Sequence, residues 1–283
     1  MTIDNALVDT LRAEGDGEPL FLAHAMGGTT GCYKPLVAHL PAGRPVYAFK
    51  APRPGQPLHP LTSVEAMAGA YAGAAAEIVG DGPLHLAGWS MGGLVALEMA
   101  RAIRARGAGL GAVVLIDTWM RREQLAADWS PAHRRVLDQR RWRVFFKLVT
   151  GAIGVLEDDD HPFWGWNEAD RIAFVRAAGR TQSPERYAGP DGDARFQADH
   201  DFYMILRGAS DGYRPTSWDG TATWIGGEAG DDRESAAMWR ELISGCRVVM
   251  KPGDHLSIVE GPEVAGLAEA LDEAMTEVRP AAG

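Results

Sequence analysis

Leu84-His85-Leu86-Ala87-Gly88-Trp89-Ser90-Met91-Gly92-Gly93-Leu94-Val95 is the stretch on which the fold turns. Leu84 to Trp89 is a short, mostly apolar run containing a glycine, the pattern of a strand buried on both faces. From Gly92 to Arg106 the pattern is helical and stops near Gly107. A strand that runs straight into a helix puts Ser90 on a sharp, strained turn. Gly88 and Gly92 stand two residues either side of it, where a side chain would collide with a neighbouring strand or helix. The serine oxygen then stands clear at the carboxyl end of the sheet, beside a helix N-terminus. In a chain with 34 glycines a chance Gly-x-Ser-x-Gly is a real competitor. The strand before it and the helix after it are what argue against chance.

The alternation continues outward. Pro19 to Ala25, Pro45 to Ala51, Ala112 to Ile116, Thr221 to Ile225 and Arg247 to Met250 read as strands. Tyr33 to Leu40, Val64 to Val79 and Ala265 to Val278 read as helices. Continuous aliphatic strands separated by helices predict an α/β fold: a mostly parallel sheet covered on both faces, in one domain over residues 1–283. From about 120 to 215 no buried strand is visible and the pattern is helical, best in Arg134 to Val149. Structureless loops of that length are rare in compact domains. The segment is therefore read as an inserted helical lid, with a separate helical domain as the alternative.

Composition narrows the function classes. Of the 283 residues 46% are hydrophobic and 23% charged, an ordinary globular balance. Lys plus Arg number 28 against 38 Asp plus Glu, so 28 − 38 gives a net charge of −10. That argues against a nucleic-acid partner, which needs a basic footprint. Cys32 and Cys246 are too few for a disulfide framework or a zinc knuckle, so no metal is expected. The N-terminus lacks a signal-peptide pattern and no run of 18 apolar residues occurs. The expectation is a soluble, cytoplasmic protein with no membrane partner.

A serine hydroxyl is a weak nucleophile and needs a base and an orienting acid. His255, in Pro252-Gly253-Asp254-His255-Leu256, follows the last strand and returns to the edge where Ser90 stands. Two places supply an acid: Asp117, ending Val113-Val114-Leu115-Ile116-Asp117, and Asp231 with Asp232 in a Gly-rich loop. A carboxylate directly after buried aliphatics needs a partner to offset its burial, which favours Asp117. Loop acids are common without any function. Either way the order is Ser, acid, His, that of the α/β-hydrolase architecture. The early loop His24-Ala25-Met26-Gly27-Gly28-Thr29-Thr30-Gly31 lets backbone approach a ligand. The N–H groups of Met91 and Met26 are the simplest oxyanion donors. His24 reads as a structural hydrogen bonder of that loop.

These motifs together resemble the thioesterase domains of modular polyketide synthases and nonribosomal peptide synthetases. The resemblance rests on Pro19-Leu20-Phe21-Leu22-Ala23-His24 with Gly27-Gly28, on Gly88-Trp89-Ser90-Met91-Gly92-Gly93, on Leu115-Ile116-Asp117-Thr118 and on Gly253-Asp254-His255. It runs from about Glu18 to Leu271, most of the lid excepted. The Trp before the serine and the acid after the fourth strand look like the chain-terminating type. The resemblance implies a Ser90–Asp117–His255 triad, with Met26 and Met91 as oxyanion donors. It implies an acyl or peptidyl carrier protein as partner, presenting substrate on a phosphopantetheine arm, and no cofactor of the enzyme's own. Release would follow by hydrolysis or macrocyclisation. Met26 departs from the family, which commonly has a smaller residue there. Leu7 to Arg12 looks like a linker that would follow a carrier domain. A carboxylesterase or lipase, an acyltransferase of the same fold and a catalytically silent binding module are the competing readings.

The lid is rich in aromatics, Trp129, Phe163, Trp166, Phe174 and Phe202 among them. Trp142, Phe145, Phe146 and Trp164 are its candidate substrate-binding residues, walls of an acyl chamber; the alternative is that they form the lid's own core. The basic run Arg134, Arg135, Arg140, Arg141, Arg143 and Lys147 either docks an acidic carrier protein or a phosphopantetheine phosphate, or is a solvated helix face.

Overall fold

The computed structural model describes residues 5–80, 82–120, 122, 130–151, 154–230 and 233–277. Its strands are β1 (Val8–Arg12), β2 (Leu20–Ala23), β3 (Val46–Phe49), β4 (Leu84–Trp89), β5 (Leu110–Ile116), β6 (Trp218–Gly227) and β7 (Ile243–Lys251). They form one sheet in the order β1-β3-β2-β4-β5-β6-β7. Every pairing is parallel except β1 with β3. The helices of this part are α1 (Lys34–His39), α2 (Val64–Val79) and α3 (Met91–Ala105), then α8 (Arg233–Leu242), α9 (Ser257–Glu260) and α10 (Val264–Glu277). This is the α/β-hydrolase fold expected from the sequence.

The pleat decides which residues meet which helices, because side chains alternate along each strand. Leu20, Leu22, Val46, Ala48, Val114 and Ile116 point to one face and pack with Leu36 of α1 and Leu267 and Leu271 of α10. Phe49, on the opposite parity, stacks on Tyr71 of α2 with ring centroids 4.8 Å apart. Helix α2 starts where Ser63, in extended conformation, accepts the Ala66 N–H at 3.1 Å, an ordinary N-cap.

The stretch Leu7 to Arg12 is not a linker but includes β1, the antiparallel edge of the sheet. Leu7 and Val8 are buried, Thr10 is exposed and Asp9, Leu11 and Arg12 are half-buried, so the strand's polar residues disguise it. Asp9 explains the pattern: it accepts hydrogen bonds from Thr30 Oγ1 at 2.6 Å and Lys50 Nζ at 2.5 Å.

By compactness the chain divides into a sheet unit, Met1–Leu125 with Gly208–Gly283, and a helical unit, Ala126–Arg207. In chain terms the helical unit is an insertion between β5 and β6, and its limits fall inside the 120–215 read from the sequence. It is built from α4 (Pro131–Thr150), α5 (Glu168–Gln182), α6 (Pro184–Tyr187) and α7 (Gly192–Gly212), whose last turns belong to the sheet unit. Its core is aromatic: Trp142 meets Phe163 at 5.5 Å, and Phe145 meets Phe196 at 5.7 Å and Tyr203 at 5.3 Å between centroids. Arg171 ties the unit together. It donates to Asp138 Oδ2 at 2.5 Å and to the carbonyls of Phe163 and Trp164 at 3.1 and 2.7 Å.

Candidate active site

Strand register brings the first two candidate residues side by side. Trp89 pairs with Ile116, and Ile116 with Ile225. The ladder runs one residue further: Ser90 N–H donates to Ile116 O at 2.8 Å and Asp117 N–H to Ile225 O at 2.7 Å. Ser90 and Asp117 therefore leave neighbouring strands at the same carboxyl edge.

Both have positive φ, +58° at Ser90 and +42° at Asp117, a region that side chains seldom occupy. The glycines around Ser90 are there for space. A Cβ on Gly88 would lie 2.1 Å from the Gly92 carbonyl carbon, and one on Gly92 would lie 2.3 Å from Ala23 O. Helix α3 begins at Met91, so the serine is presented at its N-terminus.

The loop after β7 delivers the histidine. Asp254 Oδ1 accepts the N–H groups of Leu256 and Ser257, both at 2.9 Å, and Ser257 Oγ accepts the Asp254 N–H at 2.8 Å. These backbone hydrogen bonds, with the nearby His255 ring, hold the Asp254 carboxyl below the usual carboxylate range. The closed turn places His255 Nδ1 2.5 Å from Asp117 Oδ2, across 138 residues of sequence. Asp117 is fully buried. Trp89 Nε1 donates to the His255 carbonyl at 2.9 Å, which fixes the loop beside the residue that precedes Ser90. Asp117 and His255 are thus brought together. The Ser90 hydroxyl has no hydrogen bond to the His255 ring in this structure, a contact that catalytic sites without substrate often leave open. The competing acids Asp231 and Asp232 lie outside the described residues, as does Trp129.

The segment after Asp117 is pinned by residues the sequence reading did not single out. The Thr118 carbonyl accepts two indole N–H groups, from Trp224 at 3.0 Å and Trp239 at 2.8 Å. Ser235 Oγ donates to Met120 O and accepts from Met120 N–H, both at 3.1 Å. Bonds on either side over-determine the backbone and so hold the unusual φ at Asp117. The sequence signal was faint: two tryptophans and a serine beyond a long insertion, with no spacing that links them to Asp117.

Tyr33 joins the early loop to the elbow. Its hydroxyl donates to Ala23 O at 2.5 Å and accepts the Trp89 N–H at 2.9 Å. Burial first, then the Cys32 thiol, pushes its phenol far above the ordinary value, so it stays neutral. In the same loop His24 is structural, as expected. It is fully buried and reaches Ala25 O with Nδ1 at 2.8 Å and the Tyr71 hydroxyl with Nε2 at 2.9 Å. Burial lowers its pKa to about 4, so the ring is neutral. The hydrogen bonds that shape the two candidate oxyanion segments run from Gly28 N–H to Ala25 O and from Gly93 N–H to Ser90 O. They leave the Met26 and Met91 amides out of the turns. The Cys32 thiol is raised to about 12, chiefly by burial and then by Glu260, which suits a packing role.

Three of the four candidate chamber residues lie within the packing of the helical unit itself, the alternative weighed from the sequence. Trp142, Phe145 and Phe146 are at most 2% exposed and pack on aromatics of their own helical unit. Phe146 also borders an open groove of about 390 Å³ with Val155 and Phe174. Trp164 is half-buried, its Nε1 donating to Asp158 O at 2.8 Å under the Arg143 guanidinium. Part of the basic run is likewise used internally. Arg141 pairs with Asp138, and Arg143 reaches Leu156 O and Asp159.

Comparison with known proteins agrees with this geometry. The Thioesterase domain family matches residues 18–274. The chain is 33% identical to the dimodular nonribosomal peptide synthase of Bacillus subtilis (strain 168) over 109 residues, 38% of this chain and 5% of that one. It is 36% identical to orsellinic acid synthase armB of Armillaria mellea over 118 residues, 42% of this chain and 5% of that one. A solved four-domain nonribosomal peptide synthetase, in its holo form with AMP and glycine, superposes with a TM-score of 0.76 at 25% identity. The match covers 94% of this chain and 20% of that structure. The chain therefore spans a small fraction of the synthases it is similar to. A serine elbow, an Asp–His pair at the same sheet edge and a family match over most of its length lead to one conclusion: the chain belongs to the thioesterase-domain family.

Proposed function

We propose that this chain releases an acyl or peptidyl group from the phosphopantetheine arm of a carrier protein, through an acyl-Ser90 intermediate. The observation that carries the reading is the 2.5 Å contact between His255 Nδ1 and the buried Asp117 carboxylate, beside the strained serine turn. With Nδ1 donating to Asp117, Nε2 is the basic nitrogen of the ring. His255 takes the hydroxyl proton as Ser90 attacks the thioester carbonyl, and Asp117 holds the ring and stabilises its charged form. The backbone N–H groups of Met26 and Met91 receive the oxyanion. The thiolate leaves as His255 returns a proton. Water then gives an acid, whereas an internal hydroxyl or amine gives a ring. The enzyme supplies no cofactor; the pantetheine belongs to the carrier. The synthases that the chain resembles support a carrier as partner, and no described helix is long and apolar enough to cross a membrane. The reading places the reaction in the cytoplasm.

The test is a paired rate assay on an acyl-N-acetylcysteamine thioester and the matching oxygen ester. The thioester should be preferred, and Ser90→Ala should lower turnover by a factor on the order of 10⁴ or more. Preference for the oxygen ester would reassign the chain as an esterase. A wild-type rate in Ser90→Ala would remove the nucleophile assignment altogether.

A further inference from the structure

We propose that Trp119 is a positioning residue for the imidazole of His255, acting with Trp89 to hold the ring and to favour its protonated form during the reaction. The inference rests on His255 being the general base. Two indoles pack on that ring. The Trp119 centroid lies 4.1 Å from the imidazole centroid with the planes at 33°, and the Trp89 centroid lies 5.1 Å away at 38°. An indole face attracts a cation more strongly than any other aromatic side chain does. Among the described residues, the ionisable groups with an interaction at that ring are Asp117, on Nδ1, and the adjacent Asp254, whose carboxylate is engaged by the Leu256 and Ser257 amides.

Trp119 is held in place from both sides. The carbonyl before it is gripped by the Trp224 and Trp239 indoles, and the peptide after it by Ser235. The pinned segment thus offers His255 two things two residues apart: the Asp117 carboxylate at Nδ1 and the Trp119 ring against the imidazole. In the proposed reaction His255 gains its proton from Ser90 as the tetrahedral intermediate forms and gives it up as the intermediate collapses. A seat that binds the cation more tightly than the neutral ring lowers that barrier rather than merely binding substrate.

The experiment is the pH dependence of kcat/KM for wild type, Trp119→Phe and Trp119→Leu on the acyl-N-acetylcysteamine thioester. The acid limb of that profile reports the free enzyme's base. Losing a cation–π contact makes the imidazolium less favourable, so Trp119→Leu should move the limb to lower pH by about half a unit. The plateau should also fall several-fold. Trp119→Phe, which keeps a weaker aromatic face, should shift the limb less. A histidine NMR titration in the Ser90→Ala background should show the same displacement of the His255 resonance. Limbs and NMR titrations that coincide across the three proteins, with only the plateau reduced, would make Trp119 a packing residue and overturn the inference. Ser90→Ala and His255→Ala controls separate the two levels. If either keeps the wild-type rate, the triad reading fails. If both abolish turnover while the limb stays still, only the role of Trp119 fails.

Discussion

Tyr33 uses one hydroxyl on two strands, accepting from the Trp89 amide and donating to the Ala23 carbonyl. Tyr33→Phe would leave a buried N–H without an acceptor, at a cost of about 1–3 kcal/mol. The urea midpoint should fall accordingly, and an unchanged midpoint would mean that the amide finds another partner. The requirement is invisible in the sequence, where Tyr33 is one aromatic in a short helix. Ser90 was legible because its constraint is local: Gly88 and Gly92 relieve clashes within a few residues, and such clashes leave a spacing to read. His255 was legible from its place after the last strand. The seat around His255 was not, because Trp119 meets the ring, and Trp224 and Trp239 meet the Thr118 carbonyl before Trp119, across more than a hundred residues of sequence.

At the scale of elements, the buried strands were readable and the edge was not. Val113-Val114-Leu115-Ile116 can only be a covered strand, whereas Val8-Asp9-Thr10-Leu11-Arg12 alternates weakly and carries two charges. An edge strand with one side toward water tolerates that composition. Helix α8 was also missed, since only part of its polar sequence is buried. Strand β1 does more than close the sheet, because Asp9 links it to Lys50 and to Thr30 in the early loop. Burial works to raise the Asp9 carboxyl, but the hydrogen bonds from Lys50 and Thr30 prevail and its pKa lies below the ordinary value. Its contribution is therefore present near neutrality and lost as the pH falls through that lowered value. Asp9→Ala should cost about 1 kcal/mol, the pair being partly exposed. It should also lower kcat by loosening the loop that carries Met26. A kcat equal to wild type would show that the loop keeps its shape without the tether.

For the whole molecule, two buried histidines set an acid limit. His24 stands at one end of the sheet and His85 near the other, and burial lowers each to about 4; at His85 the Arg44 charge adds to the effect. His85 stays neutral by accepting the Ala112 N–H at 3.0 Å while its other nitrogen faces Glu18. The unfolded chain takes up a proton on each near pH 6.5, and the folded chain refuses it until about 4. Stability is thus complete above about 6.5 and falls with pH between those values, by about 2 kcal/mol per histidine at pH 5. Urea unfolding at pH 7.5 and 5 reads this directly, and equal midpoints would contradict it. The division of the chain has a different consequence. Both ends of the insertion are stitched within the sheet unit: β5 pairs with β6, Asp117 N–H meets Ile225 O, and Trp224 and Trp239 grip Thr118. The entropy of closing a loop grows only with the logarithm of its length, about 0.6 kcal/mol per doubling. Residues 126–207 can therefore lengthen or shorten at little entropic cost while Ser90, Asp117 and His255 keep their address in the sheet unit.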